Sequence, residues 1–142
     1  MISLAVDRAA RVLLVSFGGP VTLESLARLD SELLHFIAQN GVMSTVIDFT
    51  SATSIEVQPS TLVYRGNNRS LMSGRPRVFV TDNALMFGLL RMYSAHQDNF
   101  GEMAPSIVWS LAEAFETLRL TGPIFEPVAI EPTLRRPEPD PV

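Results

Sequence analysis

Residues 46–57 read "VIDFTSATSIEV", and how this stretch divides decides the architecture. Val46 and Ile47 belong to a continuous apolar run, "MSTVIDF", that carries no polar alternation. Such a run is expected of a central strand covered on both faces. Asp48 closes it, and Thr50, Ser51, Thr53 and Ser54 follow within seven positions. Small hydroxyl residues after a strand predict a loop. The chain is thereby assigned a buried strand, a hydroxyl-rich exit and, from Pro59, a helix whose first turn tolerates proline.

Upstream, "ISLAV" and "RVLLVSF" are β-favouring runs joined by "DRAA", where Asp7 and Arg8 suit the turn of an antiparallel hairpin. "GGP" at 18–20 is expected to end the second strand. Thr22 then precedes "LESLARLDSELLHFIAQ", whose leucines recur at helical spacing, and Asn40-Gly41 stops it. Downstream, "STLVYRGNNRSLM" predicts a short, frayed helix, because Gly66, Asn67 and Asn68 each disfavour helix. "RPRVFV" is the fourth strand, "TDNALMFGLLRMYSAHQDN" a helix capped by Asp82, and "SIVWS" a fifth strand with Trp109 expected in the core. "LAEAFETLRL" is a final helix, with a capping box from Ser110 to Glu113. The expected order is ββαβαβαβα: one α/β domain over residues 1–121, with helices packed on a mixed sheet of about five strands. Residues 122–142 carry six of the ten prolines and are expected to form a proline-rich tail, extended from Pro132, with "IFEPVAIEP" able to lie back on the domain.

Composition narrows function. The chain has 142 residues, a formal net charge of −4, no cysteine and no lysine among its eleven basic residues. Disulfides, thiolate chemistry, Schiff-base lysines and the Walker lysine are excluded. Nucleic-acid binding is disfavoured for want of a clustered positive field. The nearest cluster is Arg65, Arg69, Arg75 and Arg77, for which a solvated face is the plain reading. No run of 18 apolar residues and no secretory pattern occur, so a cytoplasmic location is the default. His35 and His96 form no metal-ligand pair, and no metal or cofactor is expected.

"VIDFTSATSIE" at 46–56, "RVFVTDNALMFGLLRMY" at 77–93 and "SIVWSLAEAFETL" at 106–118, in this order, resemble the SpoIIAA-like group of STAS (STAS/SEC14) bacterial proteins. The likeness covers about residues 2–120. It implies the STAS fold; with no cysteine, lysine or paired histidines to build an active site on, a non-enzymatic interaction or regulatory role is expected. In the register the resemblance implies, Val57 occupies the position of the phosphorylated switch serine, with Ser60 and Thr61 one turn further on. Five residues form the candidate binding set: Asp48, Thr50 and Ser54 at the strand exit, and Phe87 and Arg91 on the third helix. A helical wheel puts Leu85, Met86, Leu89 and Tyr93 on that helix's inner face, Leu90 at its edge, and Phe87 with Arg91 outside. An outward aromatic beside an arginine predicts a homodimer or protein contact, the guanidinium stacked on the ring or paired with an acid. The alternative is a carrier of a small apolar or anionic ligand in a cleft between the second and third helices, anchored by Arg91, by analogy with SEC14-like lipid carriers.

Overall fold

The computed structural model describes residues 1–129. The reading of residues from Pro132 onward as an extended tail lies outside them. The elements are β1 (Ile2–Asp7), β2 (Val12–Val21), α1 (Leu23–Asn40), β3 (Ser44–Ile55), α2 (Pro59–Gly66), β4 (Arg77–Val80), α3 (Ala84–Phe100), β5 (Ser106–Val108), α4 (Leu111–Thr117) and β6 (Glu126–Val128). They build one mixed sheet of six strands in the order β5-β4-β3-β2-β1-β6. Strands β2 to β5 pair in parallel, while β1 runs antiparallel to both β2 and β6.

The α/β class and the alternation of strands and helices agree with expectation; the strand count does not. The sixth strand comes from the segment read as a tail, where Leu4 faces Val128 and Val6 faces Glu126. Asp7 helps hold the approach to it. Its Oδ1 accepts from the Ala10 amide at 3.0 Å, closing the β1–β2 turn, and its Oδ2 accepts from the Ile124 amide at 3.0 Å. These amides hold the Asp7 carboxyl below its ordinary value.

The chain breaks expected after Phe17 and Phe49 are absent. β2 continues through Gly18, Gly19 and Pro20, and β3 continues through the hydroxyl run to Ile55. The two extensions pair with each other, Gly18 with Ser51 and Val21 with Ile55, across register shifts at Ser16/Gly18 and Gly19/Pro20. Gly19 supplies the positive φ, +82°, that the second irregularity uses. Turn-forming residues are tolerated here because the bulges absorb them.

Alternation along the strands sorts two cores. Val6, Val15, Phe17, Ile47, Phe49 and Phe79 face α1 and α3 in the larger one. Val12, Val46, Val78 and Val80 face Ala114 of α4 in the smaller one, with Leu111, Leu118 and Phe125 packed against it. α1 starts at Thr22, whose side chain accepts from the Ser25 amide at 3.0 Å while Ser25 Oγ accepts from the Thr22 amide at 2.7 Å. The N-cap of α3 is Asn83 rather than Asp82. Ser110 caps α4 as expected, but Glu113 accepts from the Trp109 amide, not from Ser110.

Candidate functional site

The face of the sheet under α1 is not closed. A cavity of about 350 Å³ lies between α1, α2 with the segment after it, and strands β3 and β4. Its floor is built by strand alternation, which sends Thr45, Ile47 and Phe49 of β3 inward beside Arg77 and Phe79 of β4. Leu26, Leu29 and Leu33 of α1 form one wall, and Leu62 and Met72 line the other side. Leu34 and Tyr64 also line it and are 54% and 71% exposed, which places them at the mouth.

Across that mouth α1 and α2 are joined by one ion pair. Arg65 Nη1 and Nη2 donate to Asp30 Oδ2 and Oδ1 at 2.9 and 2.8 Å, a bidentate geometry. This contact holds the Arg65 guanidinium above its ordinary pKa. At the other end of α2, Gln58 makes no side-chain cap.

The polar end of the floor centres on Arg77, which is only 6% exposed. Its Nη1 donates to the Tyr93 hydroxyl at 3.3 Å and its Nη2 to the Met103 carbonyl. Thr45 lies opposite it in register. Phe17, Phe49, Phe79 and Tyr93 form an aromatic run with successive centroid separations of 5.3, 6.1 and 5.9 Å, of which Phe49, Phe79 and Tyr93 line the cavity.

The five candidate residues do not converge on this cavity. Asp48 accepts from the Thr50 amide at 2.9 Å, so its carboxylate serves the backbone beside it. Ser54 donates to Glu56 Oε2 at 2.8 Å on the exposed end of β3. Phe87 and Arg91 line a separate concavity with Ser94, Asp98, Pro105 and Ile107. The inner face of α3 is Met86, Leu90 and Gln97, while Leu85 is 66% exposed. Phe87 neither stacks on Arg91 nor awaits a neighbour on that side, because Trp109 stacks on it at 4.1 Å with an interplanar angle of 7°. Trp109 is accordingly not core but 47% exposed.

Nor do the four arginines share the single solvated face expected of them. Arg69 and Arg75 are exposed, Arg65 is paired with Asp30, and Arg77 is inside. The signal for Arg77 was present in "RVFV". Period-two alternation puts it on the same side as Phe79.

Among the described residues no group of three or more His, Asp or Glu could hold a metal ion, and no helix is long and apolar enough to cross a membrane. No family model and no curated protein matches the chain.

Proposed function

We propose that this chain is a non-enzymatic binding protein on a STAS-like scaffold, taking a small, largely apolar ligand into the cavity between α1, α2 and the sheet. The element order from β1 to α4 supports the scaffold reading. The cavity carries the functional one. Protein interiors contain few voids larger than a water molecule, whereas about 350 Å³ corresponds to roughly a dozen waters of liquid. The cavity opens to solvent between Leu34 and Tyr64, so water that enters it meets a lining of core leucines and phenylalanines, and an apolar ligand would release that water. Retaining such a space over core leucines and phenylalanines is explained by something that fills it.

The test is titration with N-phenyl-1-naphthylamine, a neutral probe that fluoresces in apolar sites. The wild type is expected to bind it, and Leu29→Trp, which fills the cavity from α1, is expected to weaken binding by about tenfold or more, about 1.4 kcal/mol. Equal binding by the variant, or none by the wild type, would refute the reading.

A second reading rests on the outer side of α3. Leu85 and the Phe87–Trp109 stack leave large apolar side chains exposed beside β5, an edge strand of three residues. We propose this face as a homodimer contact. Light scattering is expected to give a concentration-dependent mass that Trp109→Glu abolishes; a wild type monomeric at all concentrations removes this reading.

A further inference from the structure

Arg77 defines the chemistry of the ligand. Within this chain of net charge −4, the charged residues lining the cavity are Arg65, Arg69 and Arg77 against Asp30 alone, an excess of two positive charges. Arg65 and Asp30 neutralise one another. Arg77 is buried, and among the described residues it meets no carboxylate. The ion pairs there are Arg28 with Glu32 and Arg65 with Asp30. Its partners are a hydroxyl and a carbonyl, and a guanidinium has further N–H donors in a planar fork suited to a carboxylate. A buried charge without a counter-ion is costly, and neither ion pair of the described residues supplies one to Arg77.

The cavity is also graded. Thr45, Arg77 and Tyr93 make its polar end, and the inward side chains of β3 then run through Ile47 to Phe49, a span of about 13 Å at ~3.3 Å per residue. We propose that the ligand is an amphipathic monoanion whose carboxylate is held by the Arg77 guanidinium, with an unbranched apolar body along Ile47, Phe49 and Phe79. This rests on the cavity being a binding site; the positive excess and the grading are what add the head group. Arg77 is the anchor, and Arg91, outside this cavity, is not.

Displacement of N-phenyl-1-naphthylamine by three ten-carbon ligands at neutral pH tests it. Decanoate is expected to compete about tenfold or more better than decan-1-ol, the scale of a charge-assisted hydrogen bond. Arg77→Met should reduce decanoate to the level of the alcohol while leaving the alcohol within about threefold, since no charge-assisted bond is lost. Equal competition by decanoate and decan-1-ol in the wild type overturns the proposal while the cavity reading stands. Failure of the probe itself to bind overturns both. Decyl phosphate competing better than decanoate overturns the carboxylate assignment. The wild-type comparison decides even where Arg77→Met does not fold.

Discussion

Phe17→Ala is expected to lower stability by about 3–5 kcal/mol, the range for deleting a fully buried phenylalanine ring. Phe17 is 0% exposed and is the largest of the fully buried side chains. It sits on β2 at the pairing with Ile2, and its ring packs at 5.3 Å on Phe49, the residue that ends the cavity floor. Two terms add. The ring's transfer out of water is lost, and the space it leaves cannot collapse, because β1, β2 and β3 are locked around it by their ladders. At roughly 2–4 °C per kcal/mol for a chain of this size, the midpoint of thermal unfolding should fall on the order of 10 °C. Urea denaturation monitored by circular dichroism gives the free energy directly. Tyr64→Ala, at a side chain 71% exposed, is the control and should shift stability by no more than about 0.5 kcal/mol. A loss below about 1 kcal/mol for Phe17→Ala would mean that the core under α1 repacks freely, and a cavity with defined walls would then be untenable.

How much of this was legible in the sequence depends on range. α1 was plain, because its cap at Thr22, its leucine spacing and its stop at Gly41 are all local signals. The inner run of β3 was plain too, since both its faces are covered. The extensions of β2 and β3 were hidden. Gly18, Gly19 and Pro20 look like a break, and Thr50 to Ser54 look like a loop, until each is seen to be the other's partner. Pairing across some thirty residues leaves no mark in either stretch alone. α3 misled for a different reason. Leu85 and Leu89 are the more apolar choice, yet the helix turns Met86, Leu90 and Gln97 inward. A polar residue inside a helical stripe is a tertiary decision, made by what it meets on the facing element. The cavity was the least legible feature. It is a gap between α1 and α2, and a gap has no sequence pattern; only Arg77, alternating with Phe79, hinted that the interior held a charge.

Gln97→Leu is expected to cost about 1–2 kcal/mol although it makes the core more apolar, because it strips acceptors of their donor. Gln97 is 0% exposed, and its Nε2 donates at 2.8 Å to both the Gly66 and Asn68 carbonyls. Those carbonyls lie at the C-terminal end of α2, where helical backbone acceptors have no partner of their own. The helices touch there. A Cβ on Gly66 would stand 2.5 Å from the His96 Cβ and 3.1 Å from the Tyr93 carbonyl oxygen, so no water can replace the amide between them. Leucine keeps the volume but leaves the buried Gly66 carbonyl unsatisfied, and Asn68 less so where it is part-buried. The Gln97 Oε1 has no partner among the described residues, so removing this buried acceptor relieves a desolvation cost and offsets part of the loss. The consequence reaches the cavity, since α2 supplies Leu62 and Arg65 to its wall and its hold on α3 would weaken. Hydrogen exchange should therefore rise across residues 59–68 more than across α1, and N-phenyl-1-naphthylamine should bind more weakly at temperatures where the variant is still folded. Unchanged exchange in α2 with a stability loss under about 0.5 kcal/mol would show that Gln97 does not clamp the helix, and that the wall of the site is held by the Arg65–Asp30 pair alone.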